Sequence, residues 1–160
     1  MTPLIVARVI ALISTGLIAG IFLGHRAGVS RASTQLAPGS FIQLQQIIHQ
    51  IFQRMMPPLV VASVLGTLAW TVLLRADGPI IAFWLLVSAS LGLLVAAVLT
   101  RALNIPINRQ LMAWSSEAPP REFSEVWGRW ESIHSVRTVL AVIALVCQAL
   151  ALAAFTQGCP

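Results

Sequence analysis

GPIIAFWLLVSASLGLLVAAVLT, Gly78 to Thr100, runs without one Asp, Glu, Lys or Arg. A hydrocarbon core about 30 Å thick is crossed by about 20 apolar residues, so this stretch alone is long enough to span it. Three other stretches pass the same test: Val9 to His25, preceded by the apolar Pro3 to Ala7, then Met55 to Leu74 and Thr138 to Pro160. Lipid offers backbone N–H and C=O groups no partners, so an open chain crosses as helices, and these runs are too long for barrel strands. The sequence therefore predicts an all-α fold, an integral membrane four-helix bundle that forms a single transmembrane domain over residues 1–160. Its spans fall at about 4–25, 55–74, 79–103 and 136–156, with a helical lead-in at 41–54, a kinked, partly amphipathic second helix and a helical third loop.

Of the 160 residues, 58% are apolar and 9% charged, whereas soluble domains carry about 25% charged residues. Mean hydropathy is +0.86. An ordinary soluble globule is excluded, and so is disorder, whose signature is low hydrophobicity with high net charge. All 10 cationic side chains are arginine, and the formal net charge is +5 at pH 7. They are spread along the chain rather than clustered, which argues against nucleic acid as a partner. Cys147, inside an apolar run, and Cys159, next to the last residue, form neither a CxxC pair nor a disulfide framework.

Arg8 ahead of the first apolar run imitates a signal peptide, but no small-x-small cleavage site leads into a soluble domain and the remaining chain is just as apolar, so the run reads as a span. Within it Gly16, Gly20 and Gly24 recur every fourth residue, the spacing that lets helices approach closely, inside the bundle or between copies in a homo-oligomer. No strand precedes these glycines, so a phosphate-binding loop is not implied. The first and third loops hold Arg26, Arg31, Arg109, Arg121 and Arg129, with Arg54 and Arg101 nearby; the other side has Arg8 and Arg75. The arginine bias predicts that loops 1 and 3 are cytoplasmic.

Polar and ionisable groups at membrane depth cost about 2.5 to 3.5 kcal/mol for a central charge, so where they persist they mark candidate sites. In FIQLQQIIHQIFQRMMPP, Phe41 to Pro58, the apolar Phe41, Leu44, Ile47, Ile48, Ile51, Phe52 and Met55 share one helical face. Gln43, Gln46, His49, Gln50, Gln53 and Arg54 gather on the other, and Pro57 and Pro58 each remove a helix donor. An interfacial amphipathic helix is the plain alternative, although such helices are richer in Lys and Arg than this one. In RALNIPINRQLMAW, Arg101, Asn104 and Asn108 stand at i, i+3 and i+7. A guanidinium and two carboxamides on one face offer many donors, the composition suited to a ligand oxygen or a developing oxyanion; the plain alternative is a helix end that caps carbonyls and snorkels. In EFSEVWGRWESIHSVR, Phe123, Trp127, Trp130, His134 and Arg137 step by 4, 3, 4 and 3 and share a face. An interfacial aromatic belt explains the tryptophans but not the His and Arg that continue the face into the fourth span.

The blocks Arg101-x2-Asn104-x-Pro106-x-Asn108-x2-Leu111-x2-Trp114 and Trp127-x-Arg129-Trp130-x3-His134-x2-Arg137, in a four-span chain of this length, resemble the anthrone oxygenase-like family. That family is made of small four-helix membrane proteins, largely catalogued as a domain of unknown function. The resemblance extends to the glycine-bearing first helix and the Gln-rich start of the second. It implies a cofactor-independent oxidation of an anthrone to an anthraquinone, with O2 as co-substrate. An anthrone carries an acidic methylene between aromatic rings; its carbanion can itself pass an electron to O2, so a base and an oxyanion site suffice. On these residues the base is His134, whose imidazole pKa near 6.5 suits proton abstraction near neutrality. Arg101, Arg137, Asn104 and Asn108 would hold the enolate oxygen. Trp127 and Trp130 would stack on a flat lipophilic substrate, with Trp114, Gln46, His49, Gln50 and Gln53 completing its surroundings. His49 is the alternative base.

Two rivals stand beside this reading. A haem or metal could be held through His49 and His134, although three histidines in all, no CxxCH, no HExxH and no carboxylate within a span make a full metal-ligand set improbable. A small oligomeric transporter or a non-catalytic membrane protein is the other; the chain has neither an internal repeat nor a pair of broken helices.

Overall fold

The computed structural model describes residues 2–74 and 78–157, so Arg75 and Cys159 of the sequence reading lie outside the described residues. Four helices make up the fold, each long and apolar enough to cross a membrane: α1 (Pro3–Ser33), α2 (Pro38–Leu74), α3 (Ile80–Met112) and α4 (Phe123–Gln157). Among the described residues there is no strand. The Thr2 hydroxyl caps α1 by accepting from the Ile5 N–H, and Pro3 sits in the first turn, where its missing N–H costs nothing. Helix α2 passes through Pro57 and Pro58 without ending. At 1.5 Å per residue these helices run about 45 to 55 Å, well past a hydrocarbon core, so each projects at an end.

The projecting parts concentrate at the end that carries the connections 34–37 and 113–122. Helix α1 continues beyond the predicted end of the first span to Ser33, and α4 begins at Phe123, ahead of the predicted 136. The predicted helical third loop is thus mostly the extension of α3 and the start of α4. Two π turns interrupt the helices at this level: His25–Val29 in α1, where the Ser30 N–H donates to the His25 carbonyl, and Thr100–Asn104 in α3, where the Ile105 N–H donates to the Thr100 carbonyl. The second precedes Pro106, which has no N–H to continue the α ladder.

Neighbours in sequence pack side by side, and α1 against α4 closes the ring. Around Ala7, Ala11, Trp70, Ala82, Leu86 and Ala151 the packing is dense, because small side chains on α1, α3 and α4 admit the Trp70 indole. Arg8 packs at the same end, with its guanidinium 3.9 Å from the Phe155 ring centroid. The close helix contact falls at Gly66, where a Cβ would stand 3.0 Å from the Ala11 nitrogen. Of the glycines singled out by spacing, Gly16 meets Leu145 at 3.8 Å, while Gly20 and Gly24 face open space.

Midway along the bundle, Gln148 of α4 donates to Thr15 Oγ1 of α1 (3.0 Å) and Thr67 Oγ1 of α2 (2.8 Å), and Thr15 in turn meets Ser63 Oγ at 2.7 Å. In lipid such bonds each hold helices together by about 0.6 kcal/mol on average.

Candidate functional site

Above that polar node the four helices diverge around a cavity of about 470 Å³, within the range of about 300–1,000 Å³ usual for ligand pockets. Each helix contributes chemistry to its wall: His25 from α1, Gln45, His49 and Gln53 from α2, Arg101 and Asn108 from α3, and Trp127, Trp130, His134 and Arg137 from α4. The remaining lining is apolar, including Phe22, Phe52, Met56 and Val60. Phe41, Leu111 and Trp127, with Trp114 and Phe123 packed on them, form an aromatic cluster at the loop end.

The α4 face is ordered by its own spacing. Trp127 and Trp130 stack at 4.6 Å between centroids and 13° between planes, and Trp130 continues onto His134 at 4.8 Å and 20°. The indoles therefore stack on each other and on the imidazole, not face to face with a ligand lying between them. The Trp130 Nε1–H donates to Asn108 Oδ1 at 2.8 Å. An indole N–H can only donate, so this bond fixes the amide and leaves the Asn108 Nδ2 hydrogens as its free donors.

His134 is 2% exposed. Its Nε2 lies 3.2 Å from the Phe22 carbonyl oxygen, which can only accept; Nε2 therefore carries the proton and Nδ1 the lone pair. That Nδ1 is buried and has no hydrogen-bond partner. Arg137, one turn further on, places its guanidinium carbon 4.5 Å from the Phe22 ring centroid, and its Nε is likewise buried without a partner. His25 meets His134 edge-on at 5.0 Å and Trp130 at 5.2 Å.

Of the residues singled out from sequence, His134, Arg137, Arg101, Asn108, Trp127, Trp130, His49 and Gln53 line this one cavity. The other four lie off it. Asn104 is fully buried, with both amide atoms unpartnered; it sits in the π turn, where a turn holds more residues and the 100° spacing that aligned it with Arg101 fails. Gln46 is taken up by the carbonyls of Leu111 (3.1 Å) and Trp114 (3.0 Å), tying α2 to the end of α3. Trp114 packs on Phe123 at 6.1 Å between centroids, and Gln50 is exposed on the outer face. Gln45, missed from sequence, lines the wall and donates to Ser33 Oγ at 3.3 Å. His25 was missed because its run of apolar residues stops there; the signal was the step from Ile18 to Phe22 to His25, by 4 and 3, which keeps all three inside. His25, His49 and His134 all reach the cavity, yet among the described residues no three His, Cys, Asp or Glu side chains form a group that could hold a metal ion.

Four apolar, membrane-length helices around a largely apolar, aromatic-walled cavity that carries a few polar side chains have the architecture of a small multi-pass membrane protein. Residues 45–147 match the model of the anthrone oxygenase family, and the chain belongs to that family. No curated protein and no solved structure gives a significant match.

Proposed function

We propose that the protein oxidises a flat, lipophilic phenolic or anthrone-type substrate with O2 inside this cavity, through base-assisted carbanion formation. The observation that carries the reading is the convergence of His134, Arg137 and Asn108 on one aromatic-walled cavity in a chain of this family. The substrate partitions into the bilayer and lies along the Trp127–Trp130–His134 column. His134 Nδ1 takes one proton from the methylene, and the enolate oxygen is held by Asn108 Nδ2, Arg137 and Arg101, donors that count for more in a dry site than in water. The carbanion gives an electron to O2, the resulting radical pair joins as a carbon-bound peroxide, and the peroxide takes up a proton. Loss of the second C–H proton with cleavage of the O–O bond leaves a ketone and hydroxide, which becomes water. The balance is methylene plus O2 to carbonyl plus water, with the substrate as reductant and no resident cofactor required.

The test is oxygen uptake by the detergent-purified protein supplied with an anthrone. Uptake with matching anthraquinone formation is expected; none, with soluble substrate saturating, overturns the reading. Stoichiometric Fe, Cu or Zn by elemental mass spectrometry would overturn its cofactor-free chemistry. In this reading the cavity end faces the cytoplasm, which a C-terminal reporter active only inside the cell would contradict.

A further inference from the structure

In the reaction proposed above His134 takes a proton on Nδ1 but cannot pass it on, because its second nitrogen is tied to a carbonyl that holds no proton to relay. His25 is placed differently. Its Nδ1 lies 3.2 Å from Ser30 Oγ, and the Ser30 hydroxyl donates to Glu131 Oε1. With the single hydroxyl proton directed at the carboxylate, Ser30 can only accept from His25, so Nδ1 is the protonated nitrogen and Nε2 carries the lone pair. Glu131 Oε2 pairs with Arg26 Nη1 at 3.4 Å, and Arg26 Nε donates to Ser135 Oγ at 2.9 Å. The path leads from the interior toward water: His25 and Ser30 are buried, whereas the Glu131 and Arg26 side chains are 17% and 46% exposed. The π turn sets the geometry, since it bonds the Ser30 N–H to the His25 carbonyl and so puts the hydroxyl one turn along from the ring.

We propose that His25, Ser30 and Glu131 form a proton relay between the cavity and the aqueous end of the bundle. His25 is its cavity-facing acid–base group, and Ser30 and Glu131 are positioning residues. The proposal rests on the carbon-acid oxidation above, which removes two protons from carbon and delivers two to oxygen at different moments, so that one must be held or exported in between. A proton arriving at His25 Nε2 drives the Nδ1 proton to Ser30 Oγ as the Ser30 proton moves to Glu131. The imidazole is left neutral with its proton on Nε2, the serine is again a hydroxyl, and the carboxylate has become an acid at the edge of water. Run backwards, the same path supplies the proton that converts departing hydroxide to water. His25 and Ser30 precede the residues matched to the family, so the match itself assigns them nothing.

Nitrogen-15 NMR of histidine-labelled protein in nanodiscs, with His25→Gln to assign the signals, reads the tautomer directly. The Nδ1–H form is expected in the wild type and its loss in Ser30→Ala. In oxygen uptake, Ser30→Ala and Glu131→Gln are expected to lower kcat about tenfold with KM unchanged, and Ser30→Thr to restore it. Glu131→Gln keeps an acceptor for Ser30 but cannot take its proton, so it tests the relay even where Ser30→Ala fails to fold. An Nε2–H tautomer in the wild type, or an unchanged kcat in both variants of an active enzyme, overturns the relay. A wild type that oxidises no anthrone but shows the tautomer and its loss overturns the oxidation and supports the hydrogen-bonded path.

Discussion

His134→Ala is expected to lower anthrone-dependent kcat by about 10²- to 10⁴-fold, the range that a positioned acid–base group contributes. Binding changes less, because the cavity keeps its apolar lining and the Trp127–Trp130 pair. The substitution removes the buried Nδ1 lone pair, but it also removes the ring that stacks on Trp130 and meets Phe22 edge-on at 5.2 Å. His134→Asn separates the two effects. A carboxamide fills part of the space and accepts a hydrogen bond, but it does not take a proton near neutrality, so its kcat is expected to fall as far as that of alanine. His49→Ala is the comparison on α2. A collapse of kcat in His49→Ala with His134→Ala fully active would move the base across the cavity; full activity in both would remove histidine base catalysis at these two positions altogether.

The four helices were legible because the cost of a charge in lipid is large and local, so charge-free runs such as Gly78 to Thr100 mark the spans directly. The α4 face was legible for a related reason: steps of 4, 3, 4 and 3 from Phe123 to Arg137 keep one side inward along an uninterrupted helix. Where the helix departs from 3.6 residues per turn the same arithmetic misleads. Asn104, in the π turn of α3, falls off the cavity, and His25, at the start of the π turn of α1, is on it although the apolar run ends there. Hydrogen bonds that join distant segments leave no periodic trace. Gln148 stands in an apolar run and finds Thr15 and Thr67 at sequence separations of 133 and 81; Gln46 looked like a ligand group and instead secures two backbone carbonyls. Close approach is equally hidden, since Gly66 carries the contact to α1 while the regularly spaced Gly20 and Gly24 look outward.

Arg137→Leu is expected to move activity and stability in opposite directions. Arg137 is 7% exposed at the entry to the fourth span, its Nε has no partner, and among the described residues no carboxylate pairs with it. A charge at the centre of a span costs about 2.5 to 3.5 kcal/mol on insertion scales, an upper bound for one at its entry, and the guanidinium contact with the Phe22 ring returns about 1 to 2 kcal/mol of it. Leucine is therefore expected to stabilise the bundle by about 1 kcal/mol, read as a higher midpoint of thermal unfolding in detergent. Activity should fall about 10²- to 10³-fold in kcat, the loss that follows removal of one donor to a developing oxyanion. KM should change little, because the neutral substrate oxygen needs that donor less than the enolate does. Arg137→Lys keeps the charge but not the planar fork and should fall between the two. A leucine variant that unfolds at lower temperature would make Arg137 a structural residue, held by its ring contact. One that is more stable and fully active would leave the buried cation without a part in the chemistry and return the oxyanion role to Arg101 and Asn108 alone.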